Sequence, residues 1–186
     1  MPPRVRIQKE DIIRAGVELV RKNGASAVNA RSIAAALNCS TQPVFSNFST
    51  MEELKLAIVD AANTLYEEYI SREVAEEKYP AYKASGMAYI RFAREEKELF
   101  KLLYMRDRAG EDSPEALELN DRMHQILLDG TGLQESKAML FHLEMWAFVH
   151  GIAAMHATGF LELDWELISR MLTDEYQGVK KRFEEE

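Results

Sequence analysis

Between Lys9 and Asn47 the apolar residues fall into three short runs at helical spacing, each closed by turn-forming residues, and no alternating strand-like run occurs in the chain. Ile12, Ile13, Ala15, Gly16, Leu19 and Val20 predict an amphipathic helix from about Lys9 to Asn23. The pair Asn23-Gly24 ends it, supplying the left-handed conformation in which a helix C-cap usually sits. Asn29 is placed to cap a second helix with Ile33, Ala34 and Leu37 facing inward, and Asn38-Cys39-Ser40 form the turn leading out. A third helix is expected from Thr41 to about Asn47. Pro43 does not forbid it, because a proline in the first turn removes an amide that had no intrahelical partner.

The remaining chain continues in helices. Thr50 and Glu53 form a capping box before Leu54, Ala57, Ile58, Ala61, Ala62, Leu65 and Tyr69, the stripe of a long fourth helix. Pro80 restarts a helix towards Arg94, and Phe100 to Tyr104 suggest a short one. The segment 106–112 reads as a loop, and Ser113-Pro114 starts a helix through Leu117, Leu119, Met123, Ile126 and Leu127 that Gly130 and Gly132 stop. From Glu135 to about Ala157 several faces are apolar, the pattern of a helix buried on more than one side, and Leu161 to Phe183 predict a last amphipathic helix. The expected fold is all-α, with a three-helix unit at residues 1–49 and a helical bundle at 50–186.

Charge is divided unevenly. The net charge of the 186 residues is -8, yet residues 1–55 hold eight Lys or Arg against five Asp or Glu, leaving a balance of +3 there and -11 in the remaining 131. A basic head on an acidic body permits contact with phosphates, which Lys and Arg neutralise. Cys39 is the only cysteine, so an intramolecular disulfide and a thiolate metal site are excluded. No run of about 18 consecutive apolar residues occurs. A cytoplasmic protein with no membrane span is expected.

Three helices of these lengths, the last two joined by a tight turn, have the dimensions of a helix-turn-helix, although short helix pairs occur in many bundles. The residues carry the argument further. The stretch from Asn29 to Phe48 resembles the N-terminal signature of the TetR family of bacterial transcriptional regulators: Gly24 closes the first helix, Arg31-x-Ile33-Ala34 opens the second, Ser40 begins the passage into the third, and Phe45-x-Asn47-Phe48 closes it. The resemblance covers about residues 8–60. It implies that Ile33, Ala34, Leu37, Val44 and Phe48 pack the three helices together while the other side chains meet operator DNA. Thr41 and Gln42, at the start of the third helix, are the expected base readers, since Gln can pair with adenine and Thr can meet a thymine methyl. Arg31, Ser40 and Asn47 suit phosphates, Ser46 faces outward, Pro43 stiffens the helix, and Lys9, Arg4 and Arg6 are electrostatic helpers. The chain departs from the family at Phe45, where tyrosine is usual, and at Met51, where lysine is common. Phe45 is then either a DNA contact without a hydroxyl or a purely packing aromatic; Lys55 is a partial substitute for the missing lysine.

Beyond residue 60, Trp146-x-x-x-His150-Gly151 resembles one subgroup of the family's C-terminal domains. This implies a homodimer through the last two helices, which brings two reading heads to major grooves one helical turn apart. It also implies a small-molecule effector whose binding swings the fourth helices and lowers operator affinity. Phe100, Tyr104, Met105, Met123, Trp146 and His150 are candidate lining for its pocket, although Met and aromatic residues at helical spacing are also what cores contain. His142, Trp146 and His150 share a helical face, but no His-Glu-x-x-His run accompanies them, and neither metal, cofactor nor catalytic chemistry is expected. The expected function is that of a ligand-responsive repressor, not an enzyme.

Overall fold

Three helix starts in this chain fall where an Asn or Asp side chain satisfies free amides of the first turn. Asn29 Oδ1 accepts from the Arg31 and Ser32 amides, both at 3.0 Å, while Ser32 Oγ accepts from the Asn29 amide at 3.0 Å. Asn120 and Asp164 do the same for Met123 and Leu167, at 2.9 and 2.8 Å. The structure, a computed structural model, describes residues 7–106 and 119–185. Its helices are α1 (Lys9–Asn23), α2 (Ala30–Ala36), α3 (Gln42–Asn47), α4 (Met51–Ala75), α5 (Ala81–Glu95), α6 (Lys97–Tyr104), α7 (Asp121–Thr131), α8 (Glu135–Thr158) and α9 (Trp165–Glu185), with a 3-10 turn at Ala25–Ala27. No strand is present among the described residues, so the fold is all-α with the helix-turn-helix order at its N-terminal end.

Several expectations are corrected. Gly24 has a positive φ of 77°, but its ψ of 169° lies outside the left-handed helical region, in territory open almost only to glycine. The Thr50–Glu53 box is half made: the Glu53 amide donates to Thr50 Oγ1 at 3.0 Å, but the Glu53 carboxylate accepts from the Ser49 amide at 2.7 Å instead of from Thr50. The helix expected from Ser113 through Leu127 does not run unbroken, since α7 starts afresh at Asp121 on its own cap; Ser113 itself, the loop at 107–112 and the arm at Arg4–Arg6 lie outside the described residues. Gly130 lies inside α7, where an added Cβ would stand 2.9 Å from Tyr82 Cβ, and only Gly132, at φ 67°, ends the helix. The last helix begins at Trp165, after a non-helical stretch from Phe160.

The chain divides into two compact units. The first comprises Met1–Leu65 with Glu96–Arg106, and the second Tyr66–Glu95 with Asp107–Glu186. In the first, Ile12, Ile33, Val44, Phe48, Leu54 and Leu99 form a core that is almost wholly shielded from water. Gly16 lets α1 lie so close to Ile58 that a Cβ there would fall 2.3 Å from Ile58 Cδ1. Arg21 forks onto Glu96, Nε to Oε2 at 2.8 Å and Nη2 to Oε1 at 2.7 Å, which raises the Arg21 pKa further and fixes α1 against the start of α6.

In the second unit α5 is buried on nearly every side, from Tyr82 to Ala93, and packs on α7, α8 and α9. Tyr82 meets His142 and Tyr89 meets His150, at 3.0 and 2.9 Å, so α5 and α8 run in the same direction. Glu73, only 4% exposed, is held by Arg91 at 2.9 Å, and the Arg91 guanidinium lies 4.6 Å from the Trp165 ring centroid. By length and composition α8 could cross a membrane. The sequence hides this because Lys137 and Glu144 interrupt the apolar run. Phe141, Met145, Val149, Ile152 and Ala153 are buried within the unit, which is how the core helix of a bundle is composed.

Candidate nucleic-acid interface

The apolar residues of α3 divide into anchors and a face. Val44 and Phe48 are buried against the first unit's core, whereas Gln42, Phe45 and Ser46 are exposed and Thr41 and Pro43 are half-buried. Spacing of three and four residues puts Gln42, Phe45 and Ser46 on one side of the helix. Thr41 occupies the N-cap position but makes no side-chain bond to the helix it precedes, so its methyl and hydroxyl are not consumed in capping.

The other polar groups of α3 are turned back on its own backbone. Ser46 Oγ donates to the Gln42 carbonyl at 2.9 Å and Asn47 Nδ2 to the Pro43 carbonyl at 2.8 Å. Asn47 keeps its second Nδ2 proton as a donor, which suits a phosphate oxygen, and its Oδ1 as an acceptor. The exposed α3 surface therefore combines one amide, Gln42, one partly exposed hydroxyl, Thr41, and one large ring. Phe45 is 57% exposed, so it is not a packing aromatic.

Around this face the phosphate-binding candidates are placed unevenly. Arg31 is exposed on α2, beside Asn29 and Ala30 on an open stretch of surface. Because Asn29 already accepts from the first α2 amides, the guanidinium of Arg31 is the group that offers donors to an anion there. Ser40 is exposed in the turn, which Asn38 makes possible with a left-handed φ of 51°. Lys9 is engaged elsewhere: its ammonium lies 3.4 Å from Glu53 Oε1 and 4.7 Å from the Phe48 ring centroid. The Ser49 amide, and then Lys9, hold the Glu53 carboxyl below the usual range. Lys55 pairs with Glu52 at 3.3 Å.

The six candidate pocket residues do not fall in one unit. Phe100, Tyr104 and Met105 belong to the first, where Phe100 is fully buried with its centroid 5.2 Å from that of Tyr104 and Met105 is 43% exposed. Met123, Trp146 and His150 belong to the second, where the Trp146 and His150 rings stack at 4.9 Å. Sequence reasoning missed Tyr89 and Tyr66, which join the Trp146–His150 pair: Tyr89 bonds His150, and Tyr66 meets Tyr89 edge-on at 5.7 Å. Burial pushes the His150 imidazole below its ordinary pKa. Among the described residues no three His, Cys, Asp or Glu side chains are placed to hold a metal ion.

Comparison with known proteins places this architecture. Residues 82–175 match the model of the tetracyclin repressor-like C-terminal domain. Two solved structures share the fold over nearly the whole chain. One is a member of the TetR family from Streptomyces coelicolor A3, with a TM-score of 0.59 and 17% identity over 90% of this chain and 96% of that one. The other is the multidrug binding protein EbrR complexed with imidazole, with a TM-score of 0.57 and 16% identity over 91% and 94% of the two chains. No protein with a curated description matches the sequence.

Proposed function

Since the chain belongs to the TetR family of DNA-binding transcriptional regulators, we propose that it is a ligand-responsive repressor that grips a palindromic operator as a homodimer, with residues 1–49 as the reading head and 50–186 as the regulatory body. The observation that carries the reading is the exposed face of α3, where Gln42 and Phe45 stand clear of the protein while Val44 and Phe48 anchor the helix beneath them. Thr41, Gln42 and Phe45 meet base edges. Arg31 and Ser40 hold phosphates, Pro43 stiffens the helix, and Ser46 and Asn47 border the contact.

The dimer reading rests on α8. Leu140 and Leu143 are 50% and 38% exposed, and Ala147, Gly151 and Ala154 continue the same helical face, with no atom from another element within 4 Å of a Cβ built on Gly151. A stripe of large and then small apolar residues suits close approach of the same helix from a second copy, with α9 alongside it. For the effector, Trp146, His150 and Tyr89 offer aromatic walls and a polar pair. An effector shifts operator affinity tenfold if it prefers one state of the protein by about 1.4 kcal/mol.

The test is selection from pooled random duplex DNA at two salt concentrations. The expected result is a palindrome with half-sites about 10 base pairs apart, centre to centre, or a multiple of that spacing. Failure to enrich any motif would overturn the reading.

A further inference from the structure

The large apolar side chain that α3 presents to solvent is an aromatic ring with no polar atom. Phe45 is 57% exposed, on a helix whose other apolar residues, Val44 and Phe48, are buried. Its neighbour Ser46 has its hydroxyl proton committed to the Gln42 carbonyl, so the ring is the dominant group on that part of the face. An exposed phenyl group gains nothing from a phosphate, which needs donors or positive charge. It gains from covering apolar surface, and in the major groove the one apolar group on a base edge is the 5-methyl of thymine.

We propose that Phe45 is a specificity-determining residue that packs on the 5-methyl group of a thymine in each operator half-site, so that the operator is selected for thymine at that position. This rests on the reading of α3 as the helix in the major groove. Gln42 lies three residues earlier, one turn away on the same side of the helix, so the Phe45 thymine and the Gln42 base lie within the same half-site. The apolar partner is a base and not a protein surface, because the ring is flanked by Gln42 and Ser46, both exposed and polar, and not by other large apolar groups that would extend it into a patch.

The test starts from the duplex enriched by the wild-type chain. Each thymine of the half-site is replaced in turn by deoxyuridine, which removes the methyl and leaves every hydrogen-bonding atom in place, and affinity is read by fluorescence anisotropy. The proposal expects, besides any thymine met by Thr41, a position in each half-site at which the loss is about fourfold, the worth of one buried methyl-sized group, and depends on Phe45. In Phe45→Ala, whose exposed side chain is not part of the core, the same replacement should have no further effect, with helical content checked by circular dichroism. A deoxyuridine scan that is flat at every position, or one in which Phe45→Ala leaves every loss in place, overturns this inference alone. Absence of any enriched duplex overturns the DNA-reading head and the inference with it.

Discussion

The Tyr82 hydroxyl and His142 Nδ1 share a hydrogen bond of 3.0 Å inside an apolar cluster formed with Leu127, Phe141, Met145 and Phe183. A polar pair in such surroundings is held in its neutral form: burial pushes the Tyr82 phenol up and the His142 imidazole down to about 4. The native state therefore declines a proton that the unfolded chain accepts near its ordinary pKa of about 6.5.

Stability should accordingly be full above about pH 6.5 and fall as the pH drops towards 4, with His142 contributing a loss of about 3 kcal/mol at the lower end. Urea denaturation of wild type and His142→Asn across this range checks it. The Asn variant, which retains an acceptor but cannot take up the proton, should lose less on acidification; parallel curves would remove His142 as the cause.

Gly16 offers a contest between two effects. Glycine inside a helix is worse than alanine by about 0.5–1 kcal/mol, which favours Gly16→Ala. Its new Cβ would meet Ile58 Cδ1 at 2.3 Å and Cγ1 at 2.8 Å, and Ile58 is only 2% exposed, so the side chain has little room to yield. Overpacking of about 1–3 kcal/mol outweighs the helical gain, and the variant should be less stable. Combining it with Ile58→Ala should cost less than the two single changes added together, as a double-mutant cycle of denaturation midpoints would show.

Gly151→Arg separates the dimer from the protomer. The open space around this glycine predicts a fold unchanged by circular dichroism, whereas two α8 helices meeting at this face could not accommodate the side chain. Sedimentation equilibrium should report a monomer, and operator affinity should fall at least tenfold. A variant that remains dimeric would place the interface on another surface.

Phosphate and base contacts differ in their response to salt. Arg31→Ala should weaken binding to all duplexes alike and reduce the slope of log K against log salt by about 1. Gln42→Ala should instead relax the base preference at one position and leave the slope unchanged. Titrations at several salt concentrations with matched and mismatched operators distinguish the two.

The parts of this fold that were legible in the sequence are those governed by chemistry within one helical turn. Asn29 declares the start of α2 because its acceptor and the amides it serves lie two and three residues apart, and Pro80 announces α5 for a similarly local reason. What escaped depends on distant partners. Nothing near His142 in sequence names Tyr82, which is 60 residues away, and nothing near Gly130 says that the side chain packed on it belongs to α5. Within the candidate site the outward placement of Gln42 and Ser46 was legible, whereas the exposure of Phe45 was left open, because an aromatic ring at that spacing serves packing as readily as contact. The retreat of Ser46 and Asn47 onto the helix backbone was not legible, because that is decided by a rotamer and not by spacing.

The division of α3 into buried anchors and a solvent-facing row also bears on how such a protein changes over generations. Val44 and Phe48 hold the helix in place, and no residue of the exposed row takes part in that task. Substitutions at Gln42 and Phe45 are thus nearly neutral for folding, since exposed side chains away from core, caps and ion pairs contribute little to stability. Duplicated copies of the gene can drift towards new DNA addresses one side chain at a time, each intermediate remaining a folded protein on which selection can act.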